Sequence, residues 1–470
     1  MSGPIRADYN QMYLLPPRLD DWVPRDHPVR FLRDFVDTLD LEALGFRIPP
    51  CETGRPAYAC DLLLKVWLCG YFNGIRSTRS LEAACYEQIS FIWLTGQNYP
   101  DHNTLWRFWR DNREALREVF RQSVLVACRS NLVGFILHAV DGTKIAAQVS
   151  NRSAWHEKDL KKSLKELDES IEEVMKQVET AEATETGEYR LPEGLQDAKR
   201  RRQEIKKALD ELSASGEDHL HPKDPEARMI KCNEGIKFAY NAQIAVDEKS
   251  GLVIAQDVTS EGSDAEELLP MIEQVKANTG EVAKETVADG GYYSPGELKK
   301  IQDRDIEVTV SLLGQISGDG KKFHKANFRY DETKDVFVCP LGQELSYQST
   351  RISRRKKYQI RVYRCKGFRT CPQARECGSD KRGRCIEKGE YYEAVMRQME
   401  KQKGEGKRRT LEKRKTIVEL PFGHIKEHMG FRRWTVRGSN NVRTQWSLVC
   451  TALNLRKLFR RTLEGSFALP

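Results

Sequence analysis

Two β-prone runs in this chain end on the same dipeptide. "GFILHAVDGTKI" carries Phe135 to Val140 into Asp141-Gly142, and "ETVADGGYY" runs into Asp289-Gly290-Gly291. A run of strand formers that stops at Asp-Gly reads as a strand delivering a carboxylate to its end. Between them, "IKFAYNAQIAVDE" and "GLVIAQDVT" flank Lys249-Ser250-Gly251, a turn-like link typical of a hairpin. "DAEELLPMIEQVKA" reads as an amphipathic helix, and "IEVTVSL" adds a last strand after "ELKKIQDRD". Strands and helices in this order make an α/β chain with a mixed sheet, in which Asp141 and Asp289 can lie side by side.

The rest of the chain must fold around that sheet, and 470 residues imply two to four units. Residues 1–130 read as helical. "CDLLLKVWLCGYFNGI" looks like a buried helix, and "STRSLEAACYEQISFIWLTG" leads into "NTLWRFWRDNREALREVF", with Arg107 and Arg110 beside aromatics. Short helices around tight turns fit a helix-turn-helix-like DNA-binding unit, or equally a plain bundle with Trp106 and Trp109 inside. The sheet takes 131–156 and 228–312. Within 157–227, "LKKSLKELDESIEEVMKQVE" and "LQDAKRRRQEIKKALDEL" flank "TGEYRLPEG", a helical hairpin inserted into the sheet. Residues 313–404 are a small, basic, cysteine-containing insertion, and 405–470 return to the core.

Charge narrows the partner. The net charge is only +8, from 77 basic and 69 acidic residues, but it is concentrated. Thirteen Lys/Arg stand against two acids from Arg351 to Arg384, and nine against three from Arg397 to Lys415. Such density favours a polyanion, with nucleic acid first. "MSGPIRADYN" has no signal-peptide pattern, and no apolar run has membrane-spanning length. Twelve scattered cysteines fit a reducing cytoplasm. Of these, Cys339, Cys365, Cys371 and Cys377 suit a tetrahedral zinc site, though the spacing of five in "CKGFRTCPQAREC" exceeds the usual two to four.

The chemistry rests on carboxylates. Glu419, in "TIVELPF", joins Asp141 and Asp289 as an acid set among apolar residues. Carboxylates at strand ends with a third on a helix suit Mg²⁺, and two such ions serve phosphoryl transfer. Lys426 lies seven residues on, two turns along one helix face, placed to meet a phosphate. Pro421 predicts a kink or a helix start near Glu419. "GFRRWTVRG" gathers Arg432, Arg433, Trp434 and Arg437 into a basic-aromatic mix for phosphates and an unpaired base. A rival pattern overlaps: His424, Glu427 and His428 spell H-x-x-E-H, the inverted zinc-peptidase motif, without a clear third ligand.

The chain resembles DDE transposases of bacterial insertion sequences, most closely the IS1182 group within the IS4/IS5-like set. The likeness is carried by "LLLKVWLCGYFNGIRSTRSLEAACYEQISFIWLTG", "PDHNTLWRFWR", "DGTKI", "YNAQIAVD", "ADGGYYS", "VELPFGHIKEHMGFRRWTVRG" and "ALNLRKL". It implies an RNase H-like catalytic core whose acidic triad falls on Asp141, Asp289 and Glu419, holding two Mg²⁺ (or Mn²⁺) ions. It implies cleavage at terminal inverted repeats, strand transfer into target DNA, a homodimer in the synaptic complex, and a place in the bacterial cytoplasm with the nucleoid. Of the related Y-x2-R-x3-E-x6-K signature, Glu419 and Lys426 match. Lys415 holds the arginine position with Arg414 beside it, and Glu412 holds the tyrosine position. The non-catalytic alternative is a DNA-binding repressor or a decayed transposase.

Overall fold

The computed structural model describes residues 18–47, 56–182, 193–312, 322–352, 358–378, 383–402 and 405–469. The stretch "MSGPIRADYN" and most of "TGEYRLPEG" lie outside the described residues. Among the described residues, six α-helices precede the first long strand. In α1 (Pro28–Asp37), Pro28 occupies the first turn, where no N–H bond is needed, and His27 Nδ1 caps Val29 N–H at 3.1 Å. Every residue of α2 (Cys60–Phe72) from Leu63 onward is buried, and a helix apolar all round belongs at the centre of its bundle. Lys65 is the exception in type, and it is paired with Asp37 and Asp61. Around α2 pack α1, α3 (Thr78–Glu87) and α4 (Ile89–Leu94). They are followed by α5 (His102–Asp111), capped by Asp101, and α6 (Arg113–Arg129).

The sheet begins with β1 (Leu137–Ala146). The chain then leaves it through β2 (Trp155–His156), α7 (Glu157–Glu182), α8 (Glu193–Ser215) and β3 (His219–Leu220). The two helices form a pair with a small core of their own: Leu160, Ile205, Ala208, Leu212 and Leu220. The sheet resumes with β4 (Arg228–Cys232), β5 (Gly235–Asp247) and β6 (Val253–Thr259). It ends with α9 (Leu268–Thr279), β7 (Glu285–Ala288), α10 (Pro295–Gln302) and β8 (Val308–Val310). Its order is β4-β5-β1-β7-β8, with β6 also on β5. β1 runs antiparallel to β5 and parallel to β7, so the sheet is mixed. From Phe238 to Asp247 β5 is buried without alternation, as expected of a strand covered on both faces.

The strand expected to stop at Asp141 does not stop there. β5 is long enough to pair β1 as far as Ala146, opposite Ala239, and only the parallel partner β7 ends at Ala288. Val140 faces Ala288 in that parallel register, which makes Asp141 and Asp289 the next residues on adjacent strands.

A second, antiparallel sheet follows: β9 (Arg329–Asp331), β10 (Val336–Val338), β11 (Glu344–Ile352), β12 (Gln359–Cys365) and β13 (Cys385–Gly389). After it, α11 (Tyr392–Lys401) covers the outer edge of β8. Gln398 Nε2 donates to Val308 O (2.8 Å), and Gln402 Oε1 accepts Leu312 N–H (3.1 Å). Side chains four residues apart thus satisfy an edge that would otherwise be open.

The chain closes with α12 (Glu405–Gly423), one π-helical turn (His424–His428) and α13 (Ser439–Leu463). Every residue of α13 from Thr444 to Leu455 is buried. The helix joins the N-terminal bundle to the sheet: Gln445 Nε2 donates to Tyr71 Oη (3.0 Å) and Trp446 Nε1 to Gln243 O (3.0 Å). One apolar core runs through bundle, sheet and α13. Among the described residues, no helix is long and apolar enough to cross a membrane.

Candidate active site

Asp141 and Asp289 face each other's charge at the ends of the parallel part of β1 and β7. Burial is the main cause that pushes the Asp141 carboxyl pKa up, and the Asp289 charge adds to it. Arg414 of α12 opposes both, with Nη1 2.9 Å from Asp141 Oδ2. Gly142 N–H donates to Asp141 Oδ1 (2.9 Å), and Gly291 N–H to Asp289 Oδ1 (2.7 Å). Each carboxylate is therefore oriented by a backbone donor of its own Asp-Gly motif. Hard oxygen donors, repelling one another and already drawing in a cationic guanidinium, fit a divalent cation.

A further carboxylate, which sequence reading overlooked, sits beside them. Asp264, between β6 and α9, accepts Lys144 Nζ (2.7 and 2.9 Å), Asn241 Nδ2 (2.7 Å) and Gln243 Nε2 (2.7 Å). Gln243 Oε1 accepts the buried Tyr292 hydroxyl from the Asp289 turn. Both motif glycines crowd this carboxylate: a Cβ on Gly142 would be 2.9 Å from Asp264 Oδ1, and one on Gly291 3.4 Å from Oδ2. The usable signal was the alternation of Asn241 and Gln243 in β5, two polar residues on one face of an otherwise apolar strand.

α12 lies over β1, β5 and β7 and carries the expected third acid. Arg414, Val418 and Pro421, spaced by four and three, are buried, which leaves Glu419 next round the helix and exposed. The expectation of Glu419 among apolar neighbours is corrected by that helical phase. Lys415, on its face, is exposed too. Nor does the helix start or break at Glu419. It runs through Pro421 to Gly423, and the irregularity falls one turn later, where Met429 N–H reaches back five residues to His424 O (2.9 Å). Lys426 emerges from this widened turn, half-buried, with Nζ 2.6 Å from Thr143 Oγ1, two residues past Asp141 on β1. Burial holds its pKa below the usual lysine value. Among the described residues, no three His, Cys, Asp or Glu side chains are gathered closely enough to hold a metal.

The peptidase motif is dismantled by its neighbours. His424 Nε2 lies 3.3 Å from Arg456 Nη1, and burial with that cation holds its pKa down at about 4. Glu427 is ion-paired to Arg432. A zinc ion at His424 would meet an arginine. The basic-aromatic segment is corrected as well. Trp434 is fully buried against Tyr240, Phe431 and Trp446, with Nε1 donating to Ile145 O (3.1 Å), so no base can stack on it. Arg433 donates to the carbonyls of Ala147 (3.0 Å) and Val149 (2.8 Å), and Arg437 to that of Gln148 (3.0 Å). These side chains tie the segment to the chain just past β1. Arg414, expected at phosphate, is the partner of Asp141 instead.

Two family comparisons bear on this arrangement. Residues 17–111 match a family described as a transposase domain (DUF772), and residues 338–459 match one described as a transposase DDE domain. The second match spans Glu419 and Lys426, while Asp141 and Asp289 fall between the two. No curated protein matches the chain. Transposase families match both ends of a mixed α/β fold, and together the two matches indicate the class, a transposase. More narrowly, the match over residues 338–459 is to a DDE domain, which points to a DDE transposase.

Proposed function

We propose that this transposase cuts DNA at the terminal inverted repeats of its insertion sequence and joins the freed 3′-hydroxyls to target DNA. The observation that carries the reading is the pair Asp141–Asp289 on adjacent parallel strands beneath the basic helix α12. We read the sheet, ordered β6-β5-β1-β7-β8 with β5 antiparallel, as an RNase H-like core. Residues 157–227 and 313–404 are then insertions into it. Asp141, Asp289 and Glu419 would hold Mg²⁺ or Mn²⁺, which activates the attacking oxygen and stabilises the leaving one.

The chain's own residues do the rest. Arg414 balances the charge of Asp141, offsetting part of the cost of burying that carboxylate beside a phosphodiester. Lys426, fixed on Thr143, meets a phosphate oxygen, and exposed Lys415 and Arg432 extend the basic surface. In the N-terminal bundle, α5 buries Trp109 and turns Trp106, Arg107 and Arg110 outward, a face suited to the DNA ends. Pairing two ends calls for a homodimer on DNA.

The test is cleavage of a DNA fragment bearing the flanking inverted repeats, with Mg²⁺. The wild-type chain should cut at the repeat ends. Asp289→Ala should be slower by on the order of 10³-fold while still retarding end DNA on a gel. Undiminished cutting by Asp289→Ala would overturn the assignment. End binding without cutting by the wild type would favour the repressor reading, which the outward position of Glu419 keeps in play.

A further inference from the structure

The five-stranded sheet has a small apolar core, built on Phe323, Phe328, Phe337, Leu345, Tyr363 and Ile386. A block of this size commonly needs a staple. Four cysteines border that core. Cys339 follows β10, Cys365 ends β12, and Cys371 and Cys377 sit in the turns beyond it. All four are free thiols, and all four line one cavity of about 20 Å³. We propose that Cys339, Cys365, Cys371 and Cys377 bind a structural zinc ion as a tetrathiolate, clamping the β10–β11 turn to the loop after β12.

Three independent observations support this. First, the turn Cys339-Pro340-Leu341-Gly342-Gln343 wraps its own sulfur: the N–H groups of Leu341 and Gln343 both donate to Cys339 Sγ at 3.3 Å. Gly342, at φ +80°, allows the tight return that brings the second donor round. Two backbone donors aimed at one sulfur suit a thiolate, which accepts such bonds more strongly than a thiol.

Second, Arg384 lines the same cavity, and its Nε is buried with no hydrogen-bond partner. An orphaned guanidinium N–H is costly unless an anion faces it. Zinc with four thiolates is net negative and supplies that anion. Third, the spacing of five between Cys365, Cys371 and Cys377 is accommodated by the fold. A 3₁₀ turn at Gly367–Arg369 shortens the first interval, and a further turn, closed by Cys377 N–H on Gln373 O (2.9 Å), shortens the second. The sulfurs border the cavity without standing at ligand distance, so binding would draw the two later turns inward.

The test uses the full-length chain, purified without chelator. Metal analysis should find about one zinc per chain. Titration with a mercurial should release it as thiols are blocked. Exchange for Co²⁺ should give the intense thiolate-to-cobalt charge-transfer band and the visible bands of a tetrahedral site. That band separates this site from any ion held by the carboxylates, and it needs no variant that might fail to fold. The paired change Cys371→Ser, Cys377→Ser should abolish both zinc content and the band. Four titratable thiols with neither zinc nor a cobalt band would overturn the proposal, as would full zinc content in the paired variant or a disulfide among the four.

Discussion

A Cβ on Gly142 would come within 2.4 Å of Gln243 Nε2 and 2.9 Å of Asp264 Oδ1. The glycine is there for closeness, letting the Asp264 network press against β1 behind Asp141. Asp264 holds Lys144 and two amides with short bonds, and Gln243 passes the constraint on to Tyr292, three positions after Asp289. Asp264→Ala should therefore act through position. Cleavage should fall about 10–100-fold, with the Mg²⁺ midpoint raised, the scale typical of losing a supporting partner of metal ligands. A variant with unchanged rate and unchanged Mg²⁺ midpoint would reduce the network to a packing role. Glu297 offers a prediction in pH. Burial raises its pKa from the ordinary 4.5 to about 7, and Oε2 has no partner. The folded chain thus holds this proton more tightly than the unfolded one, so stability falls as pH rises from the lower pKa through the upper one. Glu297→Gln should match the wild type near pH 4 and exceed it above pH 7, by up to about 2 kcal/mol, in urea denaturation at the two pH values.

The elements were legible in the sequence to the extent that periodicity governs them. The strand end at Asp289-Gly290, the hairpin at Lys249-Ser250-Gly251 and the buried helix at Leu63–Phe72 all carry local signals. What was lost depends on partners far along the chain. β1 outruns Asp141 because β5, about a hundred residues later, pairs with it to Ala146. Glu419 faces outward because the helical phase is set by Arg414 reaching Asp141 and by Val418 underneath. The "GFRRWTVRG" segment looks like a nucleic-acid grip because arginine and tryptophan serve either purpose, and only the carbonyls of residues 145–149 decide it. Trp434→Ala should accordingly behave as a core mutation. It should lower unfolding stability by about 3–5 kcal/mol, while the folded fraction binds end DNA with affinity close to that of the wild type. A selective loss of DNA affinity at unchanged stability would restore the stacking role.

At the scale of the whole molecule, α13 decides whether the parts are separable. Residues 1–130 have a helical bundle's sequence, yet their core is completed from the far end of the chain. Tyr71 is fully buried and bonded to Gln445, Ser123 to Asn454, and Phe72 O takes the Arg456 guanidinium. Phe31 packs on Phe459 and Phe467. Each large apolar side chain returned to water costs roughly 1.5–3 kcal/mol, against a net domain stability of only about 5–15 kcal/mol. Exposing the surface that α13 covers therefore outweighs what such a bundle retains. Residues 1–130 expressed alone should lack a cooperative thermal transition and should bind hydrophobic dyes. Supplying a peptide of residues 439–463 in trans should restore the transition in a concentration-dependent way. A fragment that melts cooperatively without the peptide would show an autonomous end-binding unit. A fragment rescued only by the peptide would mean that engagement of DNA ends by the bundle and the placement of Glu419 ahead of α13 are coupled through one helix, because the same sixty-odd C-terminal residues carry both.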